Sequence, residues 1–207
     1  MPDLRFQVTG AAPVPYASAP SLALQLRIEN TPQEEIRSVA LACQIRIETT
    51  RRHYSEAEQQ RLSDLFGEPP RWGQTLRSML WAQASATVPP FCESTVIDLP
   101  VACTFDLTVA TAKYLNGLKD GCVPLTFLFS GSIFYADAEG ALQVSQIPWS
   151  SEAAYALPVA VWKRMMDAYY PNTAWLCLRR DVAERLDRYR TARGLATWEQ
   201  ALESILP

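Results

Sequence analysis

The chain has 207 residues, 48% of them hydrophobic and 20% charged, with a formal net charge of −3. That length suits one domain able to bury roughly 70% of its unfolded surface without staples, and the composition excludes a disordered or fibrous chain. The weak negative charge argues against nucleic acid and acidic membranes as partners.

The opening residues, MPDLRFQVTGAAPVPYASAP, lack a basic start followed by an apolar core, so no signal peptide is expected. No apolar run approaches the roughly 20 residues that span a bilayer. The five cysteines (Cys43, Cys92, Cys103, Cys122, Cys177) are odd in number and form no CxxC pair, the usage of a reducing compartment. Cytoplasmic residence is the expectation.

Residues 4–8 alternate weakly and read as an edge strand, followed by a Pro/Ala/Ser-rich surface connection over 10–20. Leu22, Leu24, Leu26 and Ile28 alternate with polar residues, the mark of a half-buried strand. The signal returns with Val39, Leu41, Cys43, Ile45 and Ile47 facing in, which makes Cys43 a small core residue. Ser55 followed by Glu58 is a capping box for a short helix that Gly67 and Pro69–Pro70 end.

Residues 79–88 alternate but are rich in alanine, a helix former; the period favours a strand. Odd positions from Ile97 to Val109 are all apolar, predicting a strand of thirteen residues with Pro100 marking an edge or bend. A short helix is expected over 111–118. Residues 125–147 then predict a long β-hairpin around a turn at 136–140, with Gly131 in mid-strand marking a bulge or a close backbone approach.

Beyond the hairpin the period changes. Pro158 can open a helix bearing Trp162, Met165, Met166 and Tyr169, which Pro171 ends. One more short strand is expected over 173–178. Asp181 with Glu184, and Thr197 with Gln200, are helix-start signals for two closing helices separated by Gly194. Strands that follow one another without βαβ spacing imply an α+β chain, mainly an antiparallel β-sandwich with a C-terminal helical layer. The expectation is a single domain over 1–207, its sandwich in 1–150 and a helical extension packed on it in 151–207.

Chemistry is hard to place. His53 is the only histidine, and in Arg51-Arg52-His53-Tyr54 it reads first as part of a solvated basic loop. Zinc, iron and nickel sites draw on Cys/His clusters that the spacing does not offer; no metal and no cofactor is expected. Of the cysteines, Cys177, two residues before Arg179, is the one with a nearby cation to lower its pKa. The helix over 179–193 holds six arginines against Asp181, Glu184 and Asp187, with Asp181–Arg185 and Glu184–Arg188 at i, i+4 ion-pair spacing. Trp149, Tyr155, Trp162 and Tyr169, with Arg179 and Arg180 following, carry the residue types of protein interface hot spots. The same aromatics also serve to seal helices onto a sheet.

The stretches RWGQTLRSMLW (71–81), DLPVACTFDLTVATAKYLNGLKDG (98–121) and FLFSGSIFYADAEGALQVSQIPWSSEAAYALPVAVWKRMMDAYYPNTAWLCLRRD, with GLATWEQAL after it, resemble a bacterial family of unknown function. Genes of that family often neighbour [NiFe]-hydrogenase clusters, and the resemblance implies an accessory or maturation role. The sequence reading is therefore a non-enzymatic cytoplasmic accessory protein that binds another protein, possible also as a homodimer through exposed sheet edges. The alternatives are a β-sandwich that binds a small ligand or carbohydrate, and an enzyme using His53 or Cys177.

Overall fold

The structure, a computed structural model, describes residues 2–31, 34–103, 109–137, 139–171 and 178–206. The chain forms two compact units, Met1–Pro171 and Asn172–Pro207.

The first unit is built on two antiparallel sheets. β1 (Leu4–Pro13), β2 (Ser21–Asn30) and β5 (Ser94–Ala102) form one, in the order β1-β2-β5. The other runs β4 (Met79–Val88), β3 (Ile36–Ile47), β6 (Cys122–Ala136), after which β7 (Leu142–Gln146) and β8 (Glu152–Pro158) both pair with β6 on its far side. Their inner faces close one core. Leu22, Leu24, Leu26 and Ile28 from β2 meet Val39, Leu41, Ile45 and Ile47 from β3 and Val123, Leu125, Phe127 and Phe129 from β6, all buried. Each such side chain contributes about 1.5–3 kcal/mol by leaving water. Phe6 of β1 stacks on Phe129 of β6 with ring centroids 4.3 Å apart, tying one sheet to the other. The fold is thus the α+β sandwich the alternation implied.

Several sequence expectations are corrected. β1 continues to Pro13, into the stretch read as a surface connection, because a register shift between Val8 and Gly10 lets it keep pairing with β2. β5 stops at Ala102, and Val109, the expected end of that strand, opens helix α4 (Val109–Gly117). Pro100 is accommodated because β5 is an edge strand. β8 was not legible in EAAYALP, whose alanines suit a helix as well; seven register pairs with β6 hold it extended. The strand expected over 173–178 lies, apart from Leu178, outside the described residues, as do Trp175 and Cys177.

Helices cluster where β3 leads to β4. Two 3-10 turns (Thr49–Arg51 and Pro69–Arg71) and the short helices α1 (Glu56–Arg61), α2 (Ser63–Phe66) and α3 (Trp72–Thr75) fill this connection. The Ser55/Glu58 capping box forms as expected. Tyr54, Phe66, Trp72 and Tyr114 of α4 make an edge-to-face aromatic cluster with centroids 5.2–6.3 Å apart. α5 (Val159–Tyr169) buries Val159, Val161, Trp162 and Met165 against β1, β2 and β8. Its last residue, Tyr169, donates its hydroxyl to the carbonyls of Val14 and Ala17, at 3.0 and 3.1 Å. Tyr169→Phe should cost about 1 kcal/mol, read as a lower urea midpoint with unchanged slope.

The second unit pairs α6 (Arg180–Ala192) with α7 (Trp198–Glu203). Thr197 and Gln200 form the expected capping box. The residue ahead of α6 is Arg179, which has no capping side chain; Asp181 lies inside the first turn instead. The ion pairs also differ from the i, i+4 expectation. Arg179 pairs with Asp181 at 3.0 Å and Arg190 with Asp187 at 2.9 Å, while Arg188 donates to the Glu184 carbonyl. Arg190 lies over the Trp198 ring at 4.8 Å, which draws one guanidinium away from solvent.

Candidate functional site: the outer face of the five-stranded sheet

The two sheets present unlike outer faces. On the three-stranded sheet the outward positions include Arg5, Gln7, Gln25, Arg27, Glu29 and Asp98, all exposed, with Arg27 and Glu29 ion-paired at 2.8 Å. That is an ordinary solvated face. The five-stranded sheet instead turns out Ala40, Ala42 and Gln44 from its central strand β3. Register sets Ala40 between Thr87 and Ser132, Ala42 between Ser85 and Ser130, and Gln44 between Gln83 and Leu128. Short side chains in the middle rows leave a trough of about 690 Å³ floored by Ala42 and Gln44. A hollow of about 390 Å³ over Ala40, Ala42, Ser85 and Thr87 continues it along the strands.

One wall of the trough is Trp149. β7 and β8 act as a single interrupted partner of β6: Ser132 pairs with Gln146, Leu128 pairs with Glu152, and the chain between them leaves the sheet. Ile147 N–H donates to the Gly131 carbonyl and Phe129 N–H to the Ser151 carbonyl, each at 2.9 Å, which pins both ends of the excursion. Ser151 N–H closes a turn on the Pro148 carbonyl. Trp149 occupies the second position of that turn and stands out, 94% exposed.

Gly131 sits opposite this excursion at φ +137°, and a Cβ there would lie 2.0 Å from the Ala40 carbonyl oxygen. The expected close backbone approach is therefore real: β3 and β6 come together where only hydrogen fits. The same residue supplies the carbonyl that anchors Ile147, so the backbone feature and the placement of Trp149 are linked.

The other sequence candidates scatter. Trp162 is 2% exposed and belongs to the core, which removes it from any docking surface. Tyr155 is half-buried on the inner side of β8, and Tyr169 is half-buried and held by its two carbonyls. Arg179 and Arg180 are exposed in the second unit. Arg51 and His53 are exposed, and His53 has no hydrogen-bond or ion-pair partner among the described residues, so nothing there orients it as an acid or base.

Arg52 departs from the solvated-loop reading. Its guanidinium pairs with Glu58 at 2.7 Å, with side chains only 9% and 5% exposed. It also donates to the carbonyls of Asp120 and Cys122. Cys43, beneath the trough floor, is buried, and burial pushes its thiol up to about 12; burial does the same to Cys103. Neither supplies a thiolate nucleophile near neutral pH. No group of three or more His, Cys, Asp and Glu among the described residues is placed to hold a metal. No helix among them is long and apolar enough to cross a membrane.

Sequence reasoning missed Ala40, Ala42, Gln83 and Ser130 as site residues. The available signal was on β3, whose outward positions include two successive alanines, Ala40 and Ala42, whereas β2 places Arg27 and Glu29 outward in succession.

Over residues 1–207 the chain belongs to DUF6084, a family of unknown function. No curated protein matches it. Among solved structures it is similar to the CARDB domain of the PF1109 protein from Pyrococcus furiosus, solved in complex with di-metal ions. There the identity is 10% and the TM-score 0.30, over 76% of this chain and 92% of that one. It is also similar to β-glucosidase from Kluyveromyces marxianus, at 10% identity and a TM-score of 0.27, over 75% of this chain and 15% of that one. For β-glucosidase 3B from Thermotoga neapolitana, in complex with α-D-glucose, the figures are 13% and 0.27, over 75% and 17%.

Proposed function

We propose that this chain is a non-enzymatic accessory protein of the cytoplasm that binds another protein through the outer face of its five-stranded sheet. The observation that carries this is Trp149: a 94% exposed indole, held on an anchored turn beside an uncharged trough of short side chains. Large aromatics left in water at a concave surface are what binding hot spots are made of. The trough is long and open, a shape that suits a polypeptide surface better than an enclosed small molecule. The free thiols of Cys43, Cys92, Cys103 and Cys122 suit a reducing compartment. A helper that docks on a protein agrees with the maturation role that the family resemblance implies.

The test is capture from native cytoplasm with the full chain as bait, followed by mass spectrometry. A stoichiometric partner should be retained by the wild type and weakened at least ~30-fold by Trp149→Ala, the loss of about 2 kcal/mol typical of a hot spot. The stability of a single chain, measured on dilute protein, should change by less than ~0.5 kcal/mol, because the side chain is solvated there. Retention of the partner by a folded Trp149→Ala variant would put the interface elsewhere. One second reading has its own support: Gln44, Gln83, Ser85 and Ser130 place neutral amides and hydroxyls around the indole, chemistry that also suits a sugar ring stacked on Trp149. Titration with neutral oligosaccharides, followed by the indole N–H resonance of Trp149, separates the two.

A further inference from the structure

We infer that in the isolated protein this face closes on a second copy of the chain, the two sheets meeting about a two-fold axis with each Trp149 seated in the other's trough. The inference rests on reading the face as a protein-docking surface and names its occupant.

Three observations carry it. The first is shape. An isologous interface requires that one surface hold both a projection and the recess that receives it. Trp149 projects from the rim of a trough of about 690 Å³, continued by one of about 390 Å³. Projection and recess are neighbours, so a two-fold axis passing between them brings both into register at once.

The second is charge. A two-fold axis sets residues near it against their own copies, and an ionised group there would face its like at close range. The residues lining the trough, Ala40, Ala42, Gln44, Gln83, Ser85, Leu128 and Ser130, carry no charge, and Glu152 stands outside that lining, at the end of the Gln44 row beyond Leu128. Amide side chains are donors and acceptors together, so Gln44 and Gln83 can pair with their own copies. The outer face of the other sheet, with Arg5, Arg27, Glu29 and Asp98, has no such neutral centre.

The third is area. Four strands about 4.8 Å apart and about eight residues long at ~3.3 Å each give a flat footprint of roughly 500 Å². An inserted tryptophan adds on the order of 150–200 Å². Leu142 and Val144, 66% and 55% exposed, extend the same face beyond Phe134. The total approaches the ~800 Å² per partner of a standard stable interface.

The experiment is sedimentation equilibrium of the full chain from about 1 to about 200 μM, bracketing a micromolar Kd. The expected mass at the upper end is twice the 23.2 kDa of one chain. Raising salt from ~0.05 to ~0.5 M should leave it unchanged, because the centre is neutral. Trp149→Ala and Ala42→Arg should each weaken the dimer at least ~30-fold, the second by setting a guanidinium against its copy. Arg27→Ala on the opposite sheet should change nothing. Near-UV circular dichroism confirms that each variant is folded; should Ala42→Arg fail to fold, Ser85→Glu replaces it, since Ser85 is exposed on the same row. A monomer at the highest concentration overturns the inference, and so does a dimer indifferent to the trough variants. The two readings fail separately. A monomer that still captures a foreign partner through Trp149 leaves the docking reading standing, whereas a Trp149-dependent dimer with no foreign partner removes the accessory role alone.

Discussion

Gly131→Ala is expected to destabilise the protein by on the order of 4 kcal/mol, enough to remove a large fraction of a typical domain's stability. Two independent costs add. At φ +137° a side chain meets backbone strain of about 1–3 kcal/mol. The new methyl would lie 2.0 Å from the Ala40 carbonyl oxygen, and separating β3 from β6 at the centre of the sheet costs at least as much as core overpacking, about 1–3 kcal/mol. Gly140 is the control. It too has a positive φ, +82°, but nothing lies within 4 Å of a Cβ built there; Gly140→Ala should cost only about 1–2 kcal/mol. Urea denaturation of both variants makes the comparison. Equal losses would mean that the contact between strands is slack and that Gly131 is chosen for conformation alone. Because the Gly131 carbonyl also holds Ile147, the variant should disturb the Trp149 turn, visible as a shifted indole resonance.

Arg52→Ala is expected to cost about 3–5 kcal/mol, the range for breaking one side of a buried ion pair. The reason is connectivity. The guanidinium joins Glu58 to the carbonyls of Asp120 and Cys122, and the Glu58 carboxylate accepts from Lys119 N–H and from Ser55. The pair thus fastens the segment before β4 to the turn that starts β6. Removal of Arg52 strands a carboxylate and uncaps two carbonyls. Arg179→Ala, which breaks a pair exposed on both sides (79% and 60%), should cost less than ~1 kcal/mol. A loss that small for Arg52→Ala would show that water replaces the guanidinium.

The same site fixes the direction of a pH effect. Burial pushes the Glu58 carboxyl up, but the hydrogen bonds from Lys119 and Ser55 and the Arg52 guanidinium outweigh it and hold the group below its ordinary value. A carboxyl whose folded pKa is depressed stabilises the fold fully above its unfolded value, near ~4.3. That stability is lost as pH falls through the lower folded value. Wild-type stability should therefore drop below about pH 4 more steeply than that of Glu58→Gln, which has already lost the ionisable group.

How much of this was legible depends on whether the cause is local. The half-buried strands β2 and β3 showed plainly, because one face in the core and one in water writes a period of two into Leu22–Ile28 and Val39–Ile47. The capping boxes at Ser55 and Thr197 were equally legible, since donor and acceptor lie three residues apart. β8 was not, because alanine is indifferent and only pairing with β6 decides it. Asp181 and Glu184 misled for a related reason: acids favour any first turn, and their presence does not say which residue caps.

The candidate site shows the limit most clearly. Trp149 and Trp162 stand thirteen residues apart in one aromatic-rich segment and read alike; one is 94% exposed and the other 2%. Arg51, Arg52 and His53 form one basic run, yet Arg52 alone turns inward to a carboxylate.

The sequence by itself determined the strand alternation, the caps at Ser55 and Thr197, the hairpin and the glycine at position 131, because each answers to forces acting within a few residues along the chain. The tertiary structure alone decided which tryptophan meets solvent, which arginine is buried, and that Ala40 and Ala42 floor a trough. Those outcomes depend on strands β3, β4 and β6 lying side by side, and on an excursion between β7 and β8 whose position is set by hydrogen bonds to Phe129 and Gly131 across the sheet.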